Sequence, residues 1–156
     1  MDADLIIRRA RNGLGSFCRD ECRAYCCRRG FLVLTEKQLP VVLGKSMHDV
    51  KKTKDGKYSH DQRRGCPSLS RDFTCSIHNS RLRPKVCREF PLFLHGNIVI
   101  ASEACLGVRA GLLYPYLKRL QMLGYEIVYS SPFSDVICDK IFIKPMKVQE
   151  KHGPVV

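Results

Sequence analysis

Long apolar runs are missing from these 156 residues, and none approaches the roughly 20 apolar residues needed to cross a bilayer. The nearest candidate, Phe90 to Ala101, is broken by Pro91, His95 and Asn97. The opening MDADLIIRRARNG carries charges throughout, so it does not read as a secretory signal. Internal repeats, low-complexity tracts and a dividing linker are lacking too, which points to a single domain over residues 1–156. There is no glycine-rich phosphate loop, no HExxH and no HxE…PCxxC deaminase pattern. Nor does the chain carry the CxxxCxxC spacing of radical enzymes that bind S-adenosylmethionine. These absences lean away from an enzyme, although scattered histidines leave a nucleophilic Cys–His pair open.

What the chain does have is cysteine. Nine of them amount to about 6% of the residues, below the share that marks a small disulfide scaffold. An odd count also fits poorly with complete internal pairing. With no secretory signal or membrane span, the expected location is the cytoplasm, where thiols stay reduced and clustered cysteines point to metal or redox chemistry. An apolar share of 44% is enough for an ordinary core, so metal is not required merely to offset small size.

Positive charge is the second excess, at a formal +12. Such a balance suggests nucleic acid or an anionic surface. It counts cysteines as neutral, however, and metal-bound cysteines are thiolates. Eight thiolates with two divalent ions would together add four negative charges, taking the total to roughly +8. Arg19, Arg23, Arg28, Arg29, Arg64 and Arg88 all sit close to cysteines in the sequence. They read first as compensation for an anionic metal site, with solvated surface and nucleic-acid contact as the other readings.

The expected architecture is α+β, a small domain of short helices and β-hairpins with cysteines borne on loops. Residues 1–17 form a lead-in in which Leu5, Ile6, Ile7 and Leu14 can pack on the body, without clear caps. CRDECRAYCCRRG reads as helical or turn-like up to Gly30. FLVLT at 31–35 reads as a buried strand, and Thr35 with Gln38 as the capping box of a helix over 36–44, against which Pro40 argues. Lys54-Asp55-Gly56-Lys57 marks a turn inside a polar stretch, where Lys51, Lys52, Lys54 and Lys57 suit a solvated loop. FPLFLHGNIVIAS predicts a hairpin turning at Gly96-Asn97, and residues 106–123 a helix interrupted or restarted at Pro115. EIVYS and KIFIK are strand candidates around a Ser-Pro turn, and the tail from Met146 is polar.

Cys18, Cys22 and Cys26 recur every four residues. On a helix the three thiols would span about 80° of one face, enough to present several sulfurs to one ion or cluster. Cys27 would stand about 100° further round. Soft thiolates suit zinc, copper(I) or iron–sulfur clusters rather than magnesium or calcium. Buried thiols on an amphipathic helix are the plainer alternative, but Arg19, Asp20, Glu21, Arg23, Arg28 and Arg29 make this a polar stretch. The later cysteines, Cys66, Cys75, Cys87 and Cys105, have separations that carry no metal signature by themselves.

Their context does carry one. CRDECRAYCC, GCPSL, CSIHNSRLRPKVCREFP and ACLG occur in that order between about residues 18 and 107. The series resembles the YkgJ-type cysteine-cluster family of zinc- or iron-chelating domains, in which a CxxCxxCC cluster precedes a GCP segment, an RPxxCRxFP block and a last cysteine. The first cluster here is CxxxCxxxCC, one residue wider at each gap, and His78 stands at the family's tyrosine position. The resemblance implies eight metal ligands, Cys18, Cys22, Cys26, Cys27, Cys66, Cys75, Cys87 and Cys105. These could hold two four-coordinate ions, or a cluster plus an ion. Two physical roles suit the block: its prolines fix the loop that aims Cys87, and Arg83 and Arg88 neutralise or hydrogen-bond thiolate sulfurs, with a substrate contact open for Arg88.

Cys138 matches no family position and, after Val136 and Ile137, reads as a core thiol. His78 is a candidate extra ligand, His95 an exposed residue beside a turn, and His48, His60 and His152 lie in polar segments without evident partners. The leading expectation is a zinc- or iron-binding protein, with a protein partner left open. The alternatives are an iron–sulfur redox or methyl-transfer component, because similar clusters occur in flagellin lysine methylases, and a zinc-stabilised nucleic-acid module.

Overall fold

The computed structural model describes residues 2–47 and 50–130, with the backbone of Val136 and Ile137. His48, Cys138, KIFIK, His152 and the tail from Met146 lie outside the described residues. At the start the Asp2 side chain accepts from the Asp4 N–H and caps helix α1 (Ala3–Gly13). Ala3, Ile6, Ile7 and Ala10 fall on its buried face at helical spacing. The lead-in is thus a capped helix whose Asp2 signal the sequence reading passed over. Helix α2 (Gly15–Asp20) follows after Leu14.

Strand β1 (Phe31–Leu34) lies between β3 (Tyr58–Asp61) and β7 (Val136–Ile137) in a sheet of order β2-β3-β1-β7, with β2 (Val50–Lys52) at its edge. β1 runs antiparallel to β3, with Phe31 opposite Asp61 and Leu34 opposite Tyr58. Only Leu32 and Leu34 of β1 are buried, so the strand is half-buried rather than buried throughout. The Thr35–Gln38 capping box forms, with the Thr35 N–H donating to Gln38 Oε1 at 2.9 Å. The helix expected after it divides into a 3-10 turn (Glu36–Gln38) and α3 (Leu39–Leu43). That division places Pro40 in the first turn of α3, where its missing N–H leaves no bond unmade. His60 sits within β3 and is 3% exposed, which corrects its reading as a residue of a merely polar segment.

The second sheet has the order β4-β5-β6, comprising β4 (Leu92–His95), β5 (Ile98–Ser102) and β6 (Glu126–Ser130). β4 and β5 form the expected hairpin, turning at Gly96 with φ +60°, and β6 runs parallel to β5. α4 (Lys85–Glu89) leads into β4. α5 (Leu106–Arg109) and α6 (Tyr114–Met122) fill the connection from β5 to β6, and Pro115 opens α6.

Because side chains alternate along a strand, β4 and β5 feed two cores. Leu92, Val99 and Ala101 join Ile6, Ile7, Leu117 and Leu120 on the α1–α6 side. Phe93 and Ile100 join Leu32, Leu34, Val42 and Val86 on the other. Phe90 packs against both clusters. Each fully buried aliphatic side chain contributes about 1.5–3 kcal/mol. Arg11 ties α1 to this region by donating to the carbonyl oxygens of Glu89 and Leu92. Gly107 lets the α1–α2 junction approach α5, since a Cβ there would lie 2.7 Å from Leu14 Cδ2.

Replacing Leu120, which is fully buried, with alanine should cost about 2–5 kcal/mol of unfolding free energy. Met122→Ala, at a side chain 79% exposed, should stay within about 0.5 kcal/mol. Denaturant titration of the two variants beside wild type checks the contrast.

Candidate metal centre

Only Cys18 of the first cluster stands on a helix. α2 ends at Asp20, and Arg23 and Ala24 then take positive φ of 52° and 51°. Two left-handed non-glycine residues in succession reverse the chain, at a cost of roughly 1–2 kcal/mol each. The reversal is held by the Ala24 N–H on the Cys18 carbonyl at 2.7 Å. Arg28 secures it as well, donating from Nε to the Arg23 carbonyl at 2.9 Å and from Nη2 to the Cys22 carbonyl at 3.4 Å. Cys26 and Cys27 follow in a 3-10 turn (Tyr25–Arg28). The single helical face expected for Cys18, Cys22 and Cys26 therefore does not form. The chain folds back on itself instead, and that brings the sulfurs together.

Backbone bonds fasten the later cysteines to this reversal. The Cys66 N–H donates to the Cys27 carbonyl at 2.7 Å, and the Gln62 N–H to the Gly30 carbonyl at 2.8 Å. Leu69 and Cys75 form an isolated bridge, and the Ser76 N–H donates to the Ser68 carbonyl at 2.8 Å. Buried Ser68 anchors the loop by donating from Oγ to the Val42 carbonyl at 2.6 Å. Cys87 lies in α4, with Pro84 at its N-cap. Cys105 caps α5 and is 7% exposed. All eight expected ligands are free thiols, seven of them partly buried.

These segments enclose a cavity of about 560 Å³. Cys18, Cys22, Cys26, Cys27, Cys75, Cys87 and Cys105 line it, whereas Cys66 faces a second cavity of about 420 Å³ with Arg28, His60 and Arg64. His78 lines the first cavity from an exposed position, its pKa lowered by partial burial and by Arg83. His95 is exposed, as expected.

Electrostatics divide the sulfurs. Burial, reinforced by Cys22 and Cys105, pushes the Cys18 thiol up to about 12. Burial likewise lifts Cys87 to about 12, with Cys27 adding to the rise and Arg83 opposing it. Cys66 and Cys105 are also raised by burial, against the bonds from Ser68 and Gln62 to the first and from Val108 and Gly107 to the second. Cys26 and Cys27 move in opposite directions. The hydrogen bond they share raises Cys26 and lowers Cys27, and the charges of Arg83 and Arg28 lower Cys27 further. Cys27 is therefore the sulfur best placed to ionise first.

Of the arginines adjacent to cysteines, Arg28 acts on a thiol, whereas Arg19 pairs with Asp20 at 2.9 Å and Arg29 lies over the Tyr25 ring. The cation that reaches two cysteines is Arg83, whose buried Nε has no hydrogen-bond partner. Gln62, 3% exposed and bonded to Cys66, was missed because it lies in a polar stretch with no motif around it.

The donors suit zinc or iron in chemistry: soft, partly buried sulfurs, and a guanidinium with a buried Nε close enough to offset thiolate charge. Among the described residues, no three Cys, His, Asp or Glu side chains stand together in ligating geometry. The sulfurs share a chamber without forming a closed coordination shell in it.

A family model named CxxCxxCC and described as "Putative zinc- or iron-chelating domain" matches residues 17–106, more than half of the chain. Searches of curated proteins and of solved structures give no match. No helix among the described residues is long and apolar enough to cross a membrane.

Because Cys18 and Cys87 hold their protons well above neutral pH, each must lose one to bind a metal as thiolate. Zinc affinity should therefore rise with pH through the neutral range, by roughly tenfold per unit for each proton that leaves. Competition with a chromophoric chelator at several pH values measures the slope, and a flat profile would contradict the protonated state of these thiols.

Proposed function

The chain belongs to this zinc- or iron-chelating family, and we propose that it holds two zinc or iron ions, each on four cysteine thiolates. The supporting observation is the gathering of seven free thiols around one cavity, with Cys66 bonded through its backbone to Cys27. The couplings outside the adjacent Cys26–Cys27 pair suggest a division. Cys18 interacts with Cys22, Cys105 and, more weakly, Cys27, while Cys26 interacts first with its neighbour Cys27 and then with Cys105 and Cys18. Cys66 interacts with Cys27 and Cys75, and Cys87 with Cys27, Cys66 and Cys75.

One ion then takes Cys18, Cys22, Cys26 and Cys105, and the other takes Cys27, Cys66, Cys75 and Cys87. The shell closes as the ion draws neutral thiols into thiolates, each releasing a proton. Arg83 and Arg28 offset charge at the second ion. A reducing compartment, as in the cytoplasm, would keep these thiols free.

A second reading replaces one or both ions with an iron–sulfur centre serving redox or methyl-transfer chemistry. It is consistent with a cavity of about 560 Å³ lined by seven cysteines.

Metal analysis of protein purified without oxygen should give about two ions per chain, the stoichiometry of eight thiolates at four per ion. The C18S/C26S variant should keep one ion, and C18S/C87S should keep none. Fewer than one tightly bound ion in wild type would sink the proposal, and equal retention by the two variants would sink the division. Strong visible absorption would select the iron–sulfur reading, whereas a colourless zinc-filled protein would eliminate it.

A further inference from the structure

Arg8, Arg11, Arg19, Arg83 and Arg88 line the thiol cavity, and no Asp or Glu is among its lining residues. Two of these arginines are engaged: Arg11 with the Glu89 and Leu92 carbonyls, and Arg19 with Asp20. The side chains of Arg8, Arg83 and Arg88 have no hydrogen-bond or ion-pair partner among the described residues. Arg83 acts on Cys27 and Cys87, which gives it a task at the metal. Arg8 and Arg88 are exposed, and neither is among the main charges that shift Cys18, Cys26, Cys27, Cys66, Cys87 or Cys105.

The rest of the chamber favours an organic occupant. Its 560 Å³ is within the range of about 300–1,000 Å³ typical of small-molecule sites. Leu69, Phe73, Phe90 and Leu106 give it apolar walls. Phe73 is also held at φ +63°, a conformation a bulky residue adopts only where its surroundings impose it, and one that gathers at ligand sites.

We propose that the chamber takes a small organic carboxylate beside the metal, its apolar body against Phe73 and Phe90 and its carboxylate on Arg8 and Arg88. The proposal rests on the metal-binding reading for what the carboxylate sits beside, but not for the arginines or walls that hold it. Guanidinium forks match the two oxygens of a carboxylate, and the apolar walls suit its aliphatic body.

Calorimetric titration of the protein as purified with hexanoate tests this, with hexylamine and inorganic phosphate as comparators and metal content measured on the same samples. Hexanoate should bind at one per chain, and R8Q/R88Q should weaken it at least tenfold while keeping its metal. Unchanged hexanoate affinity in that variant would overturn the proposal, as would phosphate or hexylamine binding as tightly as hexanoate. Metal loss from R8Q/R88Q would overturn it too, by assigning the arginines to charge balance at the sulfurs. Metal-filled wild type that ignores hexanoate would remove the anion site and leave the metal reading standing. Wild type that binds hexanoate without metal would do the reverse.

Discussion

A sulfur packed between two apolar cores has two comfortable states, a neutral thiol or a thiolate bound to a cation. Cys18 packs against the core of α1 and α6, while Cys66 and Cys87 pack against the core behind β1. The hairpin β4–β5 separates these cores, and Phe90 touches both. Desolvation accordingly favours the protonated form of Cys18, Cys66, Cys87 and Cys105. Arg83, just before Pro84 at the N-cap of α4, brings positive charge to Cys27 and Cys87. The same burial that keeps the free thiols neutral would make a captured metal hard for water to displace.

Main-chain bonds, more than side-chain ion pairs, bring the cysteine segments together. The Cys66 N–H to Cys27 carbonyl bond joins the GCP loop to the first cluster, and the Ala24 N–H to Cys18 carbonyl bond closes the reversal before it. Arg28 spans that reversal and also acts on Cys27, so one side chain links backbone shape to sulfur electrostatics. The left-handed pair Arg23–Ala24 and the left-handed Phe73 lie beside the cavity, where strain is tolerated because several segments fix the same local shape.

The sequence by itself determined what depends on neighbours along the chain. The Gly96-Asn97 hairpin, the Lys54–Lys57 turn, the Thr35–Gln38 capping box and the Pro115 restart of α6 are local choices of dihedral angle or cap, and each is present. The order of the cysteine segments carried the family in the same way. Only the tertiary structure decided which sulfurs are neighbours, because that follows from contacts between residues tens of positions apart. The even spacing of Cys18, Cys22 and Cys26 suggested a helix, yet packing ends α2 at Asp20 and turns the chain through Arg23 and Ala24. The burial of His60 and Gln62 was equally hidden, since their polar surroundings in the sequence are covered in the fold by distant segments. Arg83 stood out from the other arginines only when its Nε was enclosed beside Cys27 and Cys87, for burial belongs to the whole chain and leaves no mark on a residue's immediate neighbours.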